Sequence, residues 1–183
     1  MLTNTAVLHP IIYVRGYAGS EAEIDDTTAD PFCGFNVGST VYRATPDRSR
    51  GARKFIFESP VVRLAKDYGY RDVYVDGEDI LEHESWDQGI PRQSIIVYRY
   101  YDRASRLLGT GEVPKIEEFA AGLSRFITKV RTLVLQHPDY TMAPETFRCY
   151  LVAHSMGGLV CRAFLQNPAC DPDNTRRLVD KLF

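Results

Sequence analysis

Three short apolar runs divide the chain, and each is rich in β-branched or aromatic residues. They cover residues 11–14, 95–98 and 149–153. Strands that are covered on both faces have nearly continuous apolar sequences, whereas half-exposed strands alternate between apolar and polar residues. Longer segments with helical spacing lie between these runs, which is typical of parallel strands joined by crossover helices. The pattern therefore predicts an α/β fold with a parallel sheet.

Three helices are predicted from apolar positions at three-and-four spacing and from signals at their ends. The first spans residues 59–69, with a Ser-Pro start and a glycine at its end. The second begins at Pro114 and carries an apolar stripe as far as Val134. The third follows the last apolar run and extends to Pro168, and the small residues at its start allow close packing against a sheet.

A long segment, residues 19–93, separates the first apolar run from the second. Segments of this length inside compact domains are usually functional or mobile. We interpret it as a long insertion or cap-like excursion within a single domain spanning residues 1–183. Its aromatic residues Phe32, Phe35 and Trp86 are candidates for the walls of an acyl pocket. The alternative is that they pack the small core of the excursion itself.

Composition and charge narrow the function classes. A chain of 183 residues with a net charge of −2 is large enough for one core, and its charge favours neither nucleic acid nor an anionic membrane as a partner. The sequence has no signal-peptide pattern and no run that could span a bilayer, so we predict a cytoplasmic protein. Its four cysteines and four histidines show no metal-ligand spacing, which predicts free thiols and no metal or other cofactor. Nothing in the sequence indicates an oligomeric state.

The third apolar run ends in the sequence Ala153-His154-Ser155-Met156-Gly157. A strand-to-helix turn that displays a nucleophilic serine is so tight that the positions two before and two after the serine must be small. Ala153 and Gly157 satisfy this requirement. The helix dipole favours negative charge at such a turn, and the backbone N–H of Met156 is the predicted first donor to an oxyanion. The alternative is that Ser155 is an ordinary helix N-cap.

The loop after the first apolar run begins Arg15-Gly16-Tyr17. A glycine there permits close approach of the backbone. The backbone N–H of Tyr17 is therefore the candidate for the second oxyanion donor.

These two segments together resemble the nucleophile elbow and the oxyanion strand and loop of the α/β-hydrolase fold, specifically its lipases and esterases. The resemblance implies a three-layer sandwich in which the second apolar run, the first and the third lie side by side in that order. It also implies a serine hydrolase of lipid metabolism that acts on small-molecule or lipid carboxylic esters without a cofactor. Arg15 stands where the family usually has histidine. The same site would serve an acyltransferase, and the alternative from another class is a non-catalytic α/β-hydrolase-like binding or interaction domain.

The family places its acid and its histidine after the nucleophile. Asp171, Asp173 and Asp180 follow Ser155, but no histidine does. We therefore expect the chain to be the N-terminal part of a longer hydrolase, truncated after the elbow helix, with the third apolar run as a bare edge of the sheet. Since loss of the base costs about a million-fold in such enzymes, this chain alone should be nearly inactive.

The upstream polar residues are weaker candidates for the missing base and acid. We interpret His9 and His137 as structural and His154 as packed beneath the turn. His83 is the one histidine on a segment free enough to fold over the nucleophile, and Asp102 is expected to have a loop or capping role.

Overall fold

The computed structural model describes residues 7–16, 20–35, 40–44, 52–56, 59–75, 78–82, 86–100 and 102–183. In chain order, its helices and strands are β1 (Ile11–Val14), α1 (Glu21–Ala29), β2 (Thr40–Ala44), β3 (Ala52–Ile56), α2 (Pro60–Tyr68), β4 (Tyr74–Val75), β5 (Glu78–Asp79), β6 (Ile95–Val97), α3 (Ile116–Gln136), β7 (Cys149–Ala153), α4 (Met156–Gln166) and β8 (Val179–Leu182).

Four of these strands form one parallel sheet in the order β6-β1-β7-β8. Ile12 at its centre pairs with Ile96 on one side and with Leu151 on the other. All three side chains are fully buried, as expected for strands covered on both faces. The parallel sheet and the predicted order of the three apolar runs are therefore confirmed.

The prediction that the third apolar run forms a bare edge of the sheet is wrong. β8 pairs with β7, so β8 is the outer strand among the described residues. The physical reason is that β7 presents backbone donors and acceptors that a neighbouring strand can satisfy. β8 bears the charged residues Asp180 and Lys181, and its Leu182 side chain is exposed.

Each face of the sheet is covered by a different set of elements, because successive side chains of a strand point to opposite faces. On one face Ile12 belongs to the main core, together with Leu123 of α3 and Phe164 of α4. On the other face Ile11 packs in a second core that includes Val61 of α2. Helices thus lie on both sides of a parallel sheet, an arrangement that fits a three-layer α/β sandwich.

The three predicted helices are present as α2, α3 and α4. α2 has proline at its first position and ends at Gly69, which adopts the left-handed conformation with a φ of 69°. α3 buries a stripe at three-and-four spacing and begins two residues after Pro114, within the usual uncertainty of a helix end. α4 begins directly after Ser155.

The segment between β1 and β6 contains α1, α2 and two antiparallel strand pairs, β2–β3 and β4–β5. Phe35 stacks on Tyr13 of β1 with 4.4 Å between ring centroids, and Phe32 joins the same cluster. These two phenylalanines therefore cover a face of the sheet instead of packing a separate core. The cap-like role of this segment stays a prediction.

Trp86 lies at the opposite edge of the sheet from Ser155. Its indole N–H donates to the carbonyl of Gly89 at 2.8 Å, and the adjoining Ile90 N–H donates to Leu133 near the end of α3. Gly89 precedes β6, so this contact lies at the amino ends of the strands. The interpretation of Trp86 as an acyl-pocket wall is wrong, because the tryptophan packs beside the main core at that far edge.

The four cysteines are free and buried. Burial raises the pKa of Cys33 to about 11 and that of Cys149 and Cys161 to about 12, so these thiols are poor nucleophiles at neutral pH. None of the helices in the described ranges combines the length and the hydropathy that a bilayer span requires.

Candidate functional site

Ser155 occupies the junction between β7 and α4 in a conformation that is rare for a residue with a side chain. Its φ is 52° and its ψ is −122°. Its side chain is exposed and makes no capping hydrogen bond to the helix. An N-cap serine normally has extended backbone angles and accepts a hydrogen bond from the first turn. The structure therefore has a strained turn that displays the hydroxyl, and this geometry does not fit a side-chain cap.

The first turn of α4 lies directly against the end of β1. A Cβ atom on Gly157 would lie 2.0 Å from the carbonyl oxygen of Val14 and 2.6 Å from that of Arg15. No side chain fits at such distances. A Cβ on the next residue, Gly158, would have no atom within 4 Å. The small residue required two positions after Ser155 is thus explained by contact with the neighbouring strand.

Gly16 brings the loop after β1 into contact with the turn at Ser155. A Cβ atom on Gly16 would lie 2.5 Å from Cβ of Ser155 and 2.8 Å from both the carbonyl oxygen and Nδ1 of His154. The predicted close approach at Gly16 is therefore present. Tyr17, the predicted second oxyanion donor, lies outside the described residues, so its role stays a prediction.

Met156 is the first residue of the 11-residue helix α4. The first N–H groups of a helix have no partner within the helix, and the helix dipole places partial positive charge there. In the described part of the chain, the Met156 N–H has no backbone acceptor. It therefore has the properties that the predicted oxyanion donor requires.

His154 is exposed, so the prediction that it packs beneath the turn is wrong. Side chains alternate along β7, and His154 continues the series of Tyr150 and Val152. Both of these residues are half-buried on the second face of the sheet. His154 therefore lies on the second face of the sheet, and its side chain is exposed there.

Two other histidines lie at the amino ends of the strands, far from Ser155. His9 precedes β1 and packs edge-on against Tyr150 with 5.1 Å between ring centroids, and burial lowers its pKa although Asp180 acts in the opposite direction. His137 follows α3 and accepts a hydrogen bond from the Asp139 N–H. The four residues of β1 alone place roughly 13 Å between the two edges.

No hydrogen bond joins Ser155 to a histidine within the described ranges. The structural interpretation of His9 and His137 fits their positions. His83 lies outside the described residues, and its role as a base stays a prediction.

The aspartates that follow Ser155 have structural partners. Asp171 is buried and accepts hydrogen bonds of 2.7 Å from both the Ser124 hydroxyl and the Thr175 N–H. Burial raises the pKa of Asp171, but the hydrogen bonds from Ser124, Thr175 and Arg176 outweigh it and hold the pKa below its ordinary value. Asp173 accepts from Thr128, and Asp180 is exposed on β8. Asp171 and Asp173 therefore attach the chain after α4 to α3.

Two arginines attach residues 20–35 to the strand ends next to Ser155. Arg15 donates from Nη1 to the carbonyl of Cys33 at 2.6 Å. Arg99 donates to the carbonyl of Thr28 at 2.5 Å and pairs with Asp102 at 2.8 Å. The predicted loop role of Asp102 agrees with this ion pair. Arg99 was missed from the sequence, although an arginine and an aspartate directly after a buried strand are a usable signal.

Neither a metal centre nor a known relative helps to assign the site among the described residues. The described residues include no group of three or more His, Cys, Asp or Glu side chains that could hold a metal ion. Comparison of the chain with protein-family models, with curated proteins and with solved structures found no significant match.

Proposed function

We propose that this protein is a serine hydrolase of the α/β-hydrolase type that acts on carboxylic esters, with Ser155 as the acyl nucleophile. One observation carries the proposal: Ser155 holds a positive φ between a central parallel strand and a helix pressed against the neighbouring strand. Non-glycine residues in sparsely populated regions cost about 1–3 kcal/mol and cluster at functional sites. A serine with no capping bond gains nothing from that strain except display of its hydroxyl.

In the proposed reaction, Oγ of Ser155 attacks the acyl carbonyl while a general base takes its proton. The N–H groups of Met156 and Tyr17 donate to the oxyanion, and each such donor contributes about a hundred- to a thousand-fold in rate. The C–O bond to the alcohol then breaks, and the base returns the proton to the leaving alkoxide. Water hydrolyses the acyl-enzyme in a second addition and elimination. An alcohol in place of water would give the acyltransferase variant of the same chemistry.

The proposal requires a base and an acid that the described residues do not bring to Ser155. His9 and His137 are at the other edge of the sheet, and Asp171 accepts hydrogen bonds from Ser124 of α3 and from Thr175. We place the base outside the described ranges, where His83 is one candidate.

The second candidate is a non-catalytic domain of the same fold that binds a ligand or a partner. The observation that favours it is that none of the histidines in the described ranges bonds to Ser155. Arg15 adds support, since it uses its side chain to hold Cys33.

The deciding experiment is labelling of the full-length protein with a fluorophosphonate probe, followed by mass spectrometry of the modified peptide. We expect one adduct, on Ser155, and its loss in Ser155→Ala. The matched control is Ser59→Ala, because Ser59 also precedes a helix but its hydroxyl is buried without a partner among the described residues. Labelling that persists in Ser155→Ala contradicts the hydrolase assignment. A folded protein that is never labelled favours the binding domain.

A further inference from the structure

The hydroxyl of Tyr100 links the end of β6 to the loop after β1. Tyr100 lies three residues beyond β6 and is 6% exposed. Its ring packs edge-on against Phe119 of α3 with 4.7 Å between centroids. From this fixed position the hydroxyl donates to the backbone carbonyl of Arg15. The bond therefore connects two strand ends that are far apart in sequence.

The Arg15 carbonyl belongs to the peptide group that leads into Gly16. Because a peptide group is planar, fixing the direction of this carbonyl also fixes the N–H of Gly16. Gly16 is the residue that faces Cβ of Ser155, and glycine on its own would let the chain take many directions. The placement of Gly16 beside Ser155 therefore depends on how the Arg15–Gly16 peptide is held.

The same carbonyl is also close to the nucleophile helix. A Cβ atom on Gly157 would lie 2.6 Å from the Arg15 oxygen, so the first turn of α4 adjoins this carbonyl. The same oxygen accepts the hydrogen bond from the Tyr100 hydroxyl. The Arg15 side chain is held separately, through its hydrogen bond to Cys33. Loss of the Tyr100 hydroxyl would leave this carbonyl without that donor and free the peptide to rotate.

We propose that Tyr100 is a positioning residue of the oxyanion hole. Its hydroxyl holds the Arg15–Gly16 peptide, so that Gly16 and the first turn of α4 keep their places beside Ser155. Tyr100 acts through Arg15 and does not contact the substrate. The inference rests on the proposed function, because without an acyl reaction at Ser155 there is no oxyanion to receive the donor.

The test is Tyr100→Phe in the full-length protein, assayed with a short p-nitrophenyl ester. We expect kcat to fall by roughly 10- to 100-fold with KM changed less than about twofold, since a misplaced donor weakens binding of the transition state and not of the ester. Hydrogen exchange of the peptide that contains Gly16 should become faster. This second measurement reports on the loop directly, independently of turnover.

The matched control is Tyr98→Phe. The Tyr98 hydroxyl also donates to a backbone carbonyl, that of Phe119 in α3, at 2.8 Å. Both variants remove one tyrosine hydroxyl and with it one hydrogen bond that stabilises the protein. Each should therefore lower Tm by a similar amount, about a few degrees. Only Tyr100→Phe should lower kcat and speed exchange at Gly16, with rates compared at a temperature where both variants are folded.

The outcomes separate this inference from the proposed function. The positioning role alone is overturned if the wild-type protein is labelled at Ser155 but Tyr100→Phe and Tyr98→Phe have equal kcat values, whether unchanged or equally reduced. A wild-type protein that shows neither labelling nor turnover overturns the proposed function, and the positioning role with it.

Discussion

Two serines stand at the same position relative to a helix, but they differ in backbone conformation and in side-chain hydrogen bonding. Ser20, before α1, has a φ of −125° and accepts a hydrogen bond from the Glu23 N–H, while the Glu23 carboxylate accepts from the Ser20 N–H. Ser155, before α4, has a φ of 52° and no side-chain bond to its helix. The first serine stabilises a helix, whereas the second lies in a strained turn with its side chain exposed and not bonded to its helix. The position of a serine before a helix therefore does not assign its role; the backbone conformation does.

The largest expected effect separates the roles of these two serines. In the full-length protein, Ser155→Ala should lower ester turnover by about a million-fold, the size seen when a serine hydrolase loses its nucleophile. The melting temperature should stay nearly constant, because the side chain makes no capping bond. Ser20→Ala should leave kcat within about twofold of the wild type. Kinetics with a p-nitrophenyl ester measure the turnover of each variant, and a thermal melt measures its stability. A large loss of stability in Ser155→Ala would contradict the absence of a cap.

The next prediction tests whether glycine is needed at position 157 because the first turn of α4 packs against β1. Gly157→Ala should lower the free energy of unfolding by about 3 kcal/mol or more, since the new methyl group meets two backbone oxygens of β1. Gly158→Ala is the matched control, with open space around the added atom. Its higher helix propensity should raise stability by up to about 1 kcal/mol. Urea unfolding of the two variants measures the difference, and equal values would contradict the close packing of α4 on β1.

A third substitution tests the contact between Gly16, after β1, and the turn at Ser155. Gly16→Ala places a methyl group 2.5 Å from Cβ of Ser155, so the loop must move away. We expect a fall in kcat of about 100- to 1,000-fold, equivalent to the loss of one oxyanion donor. Steady-state kinetics at saturating ester measure it. A variant with normal kcat would show that the loop can shift without cost and that its backbone donors are not needed.

The comparison of the two serines also shows how far sequence patterns reach. The apolar runs predicted the parallel sheet because buried parallel strands have a composition that few other elements share. The order of the three strands was implied by the resemblance to the α/β-hydrolase fold. The small residues around Ser155 predicted the turn because sterics leave few alternatives. α1 was missed, although Ser20 and Glu23 have the spacing of a capping box, because its helix has few apolar residues to form a stripe.

The errors come from contacts that depend on tertiary structure. His154 was expected to be buried, but its exposure depends on how the second face of the sheet is covered. Trp86 was a candidate wall of an acyl pocket but lies at the far edge of the sheet, because the course of the chain between β1 and β6 has no periodic signal. The bond from Tyr100 to Arg15 joins residues 85 positions apart, and no local pattern encodes it.

The smallest expected effect concerns the capping serine. Ser20→Ala should lower the free energy of unfolding by about 1 kcal/mol, the usual cost of removing an N-cap side chain. Ser20→Asp should restore stability, because a carboxylate accepts the same hydrogen bond from the Glu23 N–H and interacts favourably with the helix dipole. Urea unfolding at low and high salt checks both variants, and salt should weaken the rescue by aspartate. If Ser20→Ala and Ser20→Asp were equally stable at low salt, α1 would not depend on its cap. The difference between Ser20 and Ser155 would then rest on their backbone angles alone.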